Sequence, residues 1–99
     1  MLDKNEMVML LREKKYKQIN NNFYNSINEM VKNKLLLNNI EVDINNNLST
    51  NNYILLENFP MFKGLTMLIT EITQTETVDD IDILERYMDN YKFIREKLT

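Results

Sequence analysis

The sequence predicts a mainly α-helical fold, a small bundle of about four helices in a single domain over residues 1–99. Three observations point there. Apolar residues recur at helical spacing in four separate stretches. Asp and Asn stand where helices begin and end. The chain has only one Gly and one Pro, so it offers few of the turns that an all-β fold needs. Its hydrophobic fraction is 43% and its net charge only −3, which favours a folded core over a disordered chain.

The first helix is expected to start at Asp3, with Glu6 in the capping-box position. Met7, Leu10 and Leu11 share one face, and the basic residues Arg12, Lys14, Lys15 and Lys17 suit a helix C-terminus. The helix should end or bend near Tyr16. Asn20–Asn22 read as a break followed by a cap. From there Phe23, Ile27, Met30, Val31 and Leu35 form the stripe of a second helix. Asn38 and Asn39 close it, because Asn tolerates the left-handed conformation.

Residues 40–58 read as a loop or a short β-hairpin, the latter giving an α+β alternative. Ile40, Val42 and Ile44 alternate with Glu41 and Asp43, as in a strand. Tyr53–Leu56 fits either the return strand or a short helix capped by Thr50 or Asn51. Pro60 suits the first turn of the next helix, whose apolar face is Phe62, Leu65, Leu68, Ile69 and Ile72. Gly64 within it suggests close packing against a neighbour, and Thr70, Ile72, Thr73, Thr75 and Thr77 weaken its end. In the last helix Thr77 or Asp79 is the expected cap, and Asp79, Asp80 and Asp82 lie in its first turn. Its apolar row is Ile81, Leu84, Met88, Tyr91, Ile94 and Leu98.

Composition limits the function. The chain has no His and no Cys, which removes the usual general base, thiolate chemistry and Cys-based metal sites. The only two serines, Ser26 and Ser49, have no recognisable base nearby, and no Gly-rich phosphate loop is present. No cofactor or metal site is therefore expected, and the chain reads as a non-enzymatic protein. The lack of Ala and the abundance of Asn reflect an AT-rich genome, as in some viruses, mobile elements and microbes. No apolar run approaches the roughly 18–20 residues of a membrane span, and no secretory signal is visible. The expected location is the cytoplasm, or the host cytoplasm or nucleus for a viral protein.

Charge is placed unevenly. Residues 1–37 carry seven Lys/Arg against four Asp/Glu, a net +3, and residues 38–99 carry five against eleven, a net −6. The basic run Arg12, Lys14, Lys15, Tyr16 and Lys17 reads as a solvated helix end or as a phosphate contact. Asp79, Asp80 and Asp82 read as helix-capping acids or as a docking surface for a basic partner. Asp80 and Asp82 have the spacing of calcium ligands, but no central Gly follows. One residue of each aromatic pair must leave its stripe, which makes Tyr16, Tyr24 and Phe93 candidate contact residues. Val8, Met9, Tyr24, Leu36, Leu37, Leu55 and Ile83 also fall off the main stripes. Such surplus apolar positions suggest self-association or docking on a larger protein.

The leading expectation is thus a protein–protein interaction module: an accessory subunit, or a small adaptor or inhibitor. A nucleic-acid-associated regulator acting through the basic N-terminal helix is the alternative. For this alternative, Leu11–Val31, with Arg12-Glu13-Lys14-Lys15, Ile19 and Phe23-Tyr24, resembles the opening of the helical domain in GINS replication subunits. Phe62–Ile69 sits where that family has a helix rich in Arg and Lys, although only Lys63 is basic here. The resemblance implies a non-enzymatic helical subunit of a replication complex and carries over no functional residue.

Overall fold

The computed structural model describes residues 2–73 and 77–99. Among them are five α-helices and no strand. They are α1 (Lys4–Arg12), α2 (Tyr16–Leu37), α3 (Leu48–Asn58), α4 (Lys63–Thr73) and α5 (Ile81–Leu98), with a 3₁₀ turn at Pro60–Phe62 before α4. The mainly α bundle is as expected, with one helix more than the apolar stripes suggested. Thr75 and Glu76 lie outside the described residues.

Asp3 caps α1 by accepting from the Asn5 amide at 3.0 Å. The helix ends at Arg12, four residues short of Tyr16. Lys14 takes a left-handed conformation at φ 59°. Lys15 N–H donates to Leu10 O at 2.9 Å, and Lys14 N–H to Leu11 O at 3.0 Å. This paired closure usually employs Gly. The basic run is therefore the turn between two helices, not one helix end.

Asn20–Asn22 do not break the chain, because α2 runs through them for 22 residues. Ile19 is fully buried one turn before Phe23, so the stripe extends to Ile19, Phe23, Ile27, Val31 and Leu35. Burying one such side chain contributes about 1.5–3 kcal/mol, against at most ~0.7 kcal/mol for a poor helix former such as Asn. Asn39 closes α2 at φ 61°, as its left-handed tolerance suggests. Ile40 N–H donates to Leu35 O at 3.0 Å, which repeats the closure seen at Lys14.

The expected loop or hairpin over 40–58 is a linker followed by α3. Asn47 is the cap, accepting from the Thr50 amide at 2.9 Å, so the helix starts before Thr50 and Asn51. An isolated two-stranded hairpin is marginal in water. The helix instead buries Leu48 and Leu55, and Leu55, expected on the surface, is fully enclosed. Ile40 and Val42 pack half-buried on the core.

Pairwise contacts fix the helix directions. Tyr24 reaches Leu48 and Asn28 reaches Asn51, so α3 lies parallel to α2. Val78 meets Asn20, and Phe23 meets Tyr87 and Tyr91, so α5 is also parallel to α2. Consecutive helices α1 and α2, α3 and α4, and α4 and α5 follow the antiparallel rule for short connections, and only α3 breaks it, after the longer 38–47 linker. The core centres on Phe23, with the Tyr87 ring edge-on at 5.5 Å and the Tyr91 ring at 6.3 Å.

In α4, Leu65, Ile69 and Ile72 are buried, with Thr66 among them. Gly64 marks no close approach, because a Cβ built there meets nothing within 4 Å. In α5 the cap is Asp80, not Thr77 or Asp79; it accepts from Ile83 N–H at 2.9 Å. Asp82 occupies the first turn, and Asp79 precedes the helix. Ile81 is exposed, and the buried row is Leu84, Tyr87, Tyr91, Ile94 and Leu98. The open space at Gly64 makes Gly64→Ala a stabilising change of about 0.5–1 kcal/mol. Urea unfolding of the two proteins checks this; a destabilised variant would reveal a contact at that position.

Candidate functional site

A groove of about 460 Å³ lies between α3 and α4, bordered by Tyr24 of α2. The antiparallel pairing of α3 and α4 makes its two walls. Asn52 lies at its base with 7% of its surface exposed. Asn52 Nδ2 donates to Thr66 O at 3.0 Å and to Thr70 Oγ1 at 3.2 Å. The Thr66 carbonyl can only accept, so the amide orientation is fixed by its partners. Asn52 Oδ1 is then left with no hydrogen-bond partner among the described residues.

Thr66, Thr70 and Thr73 of α4 line the groove, Thr66 buried and Thr70 exposed. Thr66 Oγ1 donates to Lys63 O, Thr70 Oγ1 to Thr66 O and Thr73 Oγ1 to Thr70 O, each at 2.9 Å. These back-bonds consume the hydroxyl protons and leave only acceptor lone pairs for the groove. Tyr53, Leu56, Met67 and Ile69 supply apolar walls, and no charged side chain lines the groove.

Tyr24, expected as an exposed contact residue, is half-buried, and its hydroxyl accepts from Leu48 N–H at 2.9 Å. That amide is the first of α3 and has no partner within its own helix. Tyr24 therefore both borders the groove and caps the helix that forms one wall.

The basic candidates gather elsewhere, at the α1–α2 turn. Lys14, Lys15, Tyr16, Lys17, Gln18 and Asn21 surround a shallow depression of about 490 Å³. Lys15 pairs with Glu13 at 2.9 Å. Among the described residues Arg12, Lys14 and Lys17 have no ion-pair partner. Lys15 stands at the N-cap of α2, which has no side-chain cap and no acid in its first turn, so its positive dipole end meets more positive charge.

Asp79, Asp80 and Asp82 are exposed at the start of α5, where Asp80 is occupied as the cap. Phe93 is exposed on α5, with Lys97 Nζ 5.4 Å from its ring centroid. The structure thus splits the sequence candidates among a turn, a helix start and an isolated aromatic. Among the described residues no three acidic side chains converge as a metal site would require, and no helix is long and apolar enough to cross a membrane.

Asn52, Thr66 and Thr70 escaped sequence reasoning. Asn52 fell in a stretch read as loop, Thr70 read only as helix-weakening, and Thr66 stood out for no site. The i, i+4 spacing of Thr66 and Thr70 was the available signal, and it becomes meaningful only once α3 faces them.

No protein-family model, curated protein or solved structure matches the chain. The likeness to GINS subunits therefore rests on the quoted residues alone.

Removing the Tyr24 hydroxyl leaves the Leu48 amide without its partner. Tyr24→Phe is expected to cost about 1 kcal/mol of stability, read as a lower urea midpoint at unchanged slope. An unchanged midpoint would show that the bond contributes nothing net.

Proposed function

We propose that this protein is a non-enzymatic interaction module that docks on a larger protein, as an accessory subunit or a small adaptor or inhibitor. The AT-rich composition suits a virus, mobile element or microbe, and the absence of His and Cys suits a cytoplasmic binding role.

The observation that carries this reading is an apolar end of the bundle. The Lys34 side chain, in the last turn of α2, reaches to 5.9 Å from the Phe62 ring, so the end of α2 and the α3–α4 turn lie toward the same end of the bundle. There Leu37 is 81%, Met61 75% and Leu36 47% exposed. The Phe59 and Phe62 rings lie 5.8 Å apart, tilted at 44°, and are half-buried. Single exposed apolar side chains are ordinary, but a cluster of them at one end marks a contact surface.

Leu37→Glu with Met61→Glu leaves the core untouched and should abolish docking. Affinity purification from the native host, with sedimentation of the purified protein, reads the outcome. Wild type is expected to retain a specific partner or to self-associate, and the double variant to lose it. Identical co-purifying proteins and sedimentation for both would sink the proposal.

A second reading is a nucleic-acid-associated regulator or replication-complex subunit, favoured by the unpaired cations at the uncapped start of α2. Phosphate binding there would neutralise charge at the positive dipole end. It predicts a salt-dependent shift of labelled DNA or RNA. Neutralising Lys14, Lys15 and Lys17 together should lower the slope of log affinity against log salt by roughly 2–3. No shift at low salt, or a slope that ignores the three lysines, would reject it.

A further inference from the structure

We infer that α3 is a detachable strap, which leaves the bundle as one unit, hinged at residues 38–47 and at Pro60, while α2 and α5 stay packed. The strap belongs to the chain on its own and stands whether or not the apolar end docks a partner.

The first observation is a pair of enclosed acceptors. Asn51 and Asn52 are adjacent on α3 and only 1% and 7% exposed. Each spends its Nδ2 on a neighbouring helix. Asn51 donates to Asn28 Oδ1 of α2 at 2.8 Å, and Asn52 to Thr66 O and Thr70 Oγ1 of α4. Each Oδ1 is closed off within the fold and has no partner among the described residues. Turning the Asn51 and Asn28 amides over together would only exchange the orphan oxygen for an orphan nitrogen. Buried polar atoms are nearly always paired, and an enclosed acceptor without a donor costs the hydration it has lost. Detachment of α3 returns both oxygens to water.

The second observation is how little apolar burial opposes this. The buried apolar side chains of α3 are Leu48 and Leu55, against five each on α2 and α5. Two enclosed acceptors cost about as much as two such side chains gain. The other ties are the hydrogen bonds of the Leu48 amide, Asn51 and Asn52, which water replaces on opening. Elements held this weakly open ahead of the whole domain.

The third observation is that both ends of α3 are built to turn. Residues 38–47 precede it outside any helix. After it, Pro60 has no amide proton and restricts Phe59, so helical bonding stops there and α4 is a separate segment. The pairs Tyr24–Leu48 and Asn28–Asn51 set α3 parallel to α2, which brings Leu55 level with Val31. Opening therefore bares Leu48, Leu55 and the Val31 stretch of the α2 row, which runs on to the exposed Leu36 and Leu37.

Native-state hydrogen exchange of the isotopically labelled full chain, followed amide by amide at rising urea, tests this. The amides of residues 52–58 are expected to exchange through one shared opening, about tenfold or more faster than the central amides of α2 and α5. Its urea dependence should be weaker than that of global unfolding, because less surface is exposed. The central amides of α4 should not share it. Asn52→Leu replaces an orphan acceptor by an apolar group of similar shape and should slow the exchange of α3 about tenfold. Asn51→Leu is expected to act in the same direction and decides the point if Asn52→Leu does not fold. The inference is overturned by α3 amides as protected as those of α2 and α5, by α4 opening in step with α3, or by a folded Asn→Leu variant whose α3 amides exchange no slower than in the wild type.

Discussion

The row Ile19, Phe23, Ile27, Val31 and Leu35 on α2 is the surface on which the other four helices are seated. α2 touches each of them, and every member of the row is at most 1% exposed. Burial of one such side chain contributes about 1.5–3 kcal/mol, whereas a whole domain of this kind retains only about 5–15 kcal/mol. The continuity of α2 through Asn20–Asn22 follows from that imbalance, and so does the position of α5. Phe23 lies edge-on to Tyr87 and Tyr91, which places α5 alongside α2 and draws Val78 onto Asn20. The exposed Lys4–Glu85 pair at 3.6 Å adds little to this, as surface ion pairs usually do.

Asn does much of the work that Gly and Ser perform in other proteins. Asn47 caps α3 and Asn39 supplies the left-handed residue after α2. Asn38 and Asn58 return their side-chain amides to Lys34 O and Ile54 O. The same residue type also enters the interior. Asn51 Nδ2 donates to Asn28 Oδ1 at 2.8 Å, and Asn52 joins α3 to α4. Buried amides fix the register of packed helices because a slipped pairing would leave their donors unpaired. The abundant Asn thus acquires structural use at particular positions.

The surfaces left over differ in kind. One end of the bundle exposes Leu37 and Met61, the α1–α2 turn is basic, and no charged side chain lines the α3–α4 groove. Macromolecular contact suits the first two, since area and net charge govern it.

The sequence by itself determined the helical class, the caps at Asp3 and Asn39, most of the α2 row and the α5 spacing from Leu84 to Leu98. These depend on local periodicity and on side chains bonding to their own backbone, interactions within a turn or two of each residue. Tertiary structure decided what those rules leave open. The alternation Ile40–Ile44 resembled a strand, yet no partner strand stands among the described residues, and Leu48 and Leu55 gain more by packing as a helix on α2. Asn20–Asn22 looked like a break until Ile19 was placed in the core. Tyr24 looked free until Leu48 N–H was brought to its hydroxyl. The groove at Asn52 was hidden for the same reason: its walls come from α2, α3 and α4, and an unpaired acceptor exists only once the chain has folded around it.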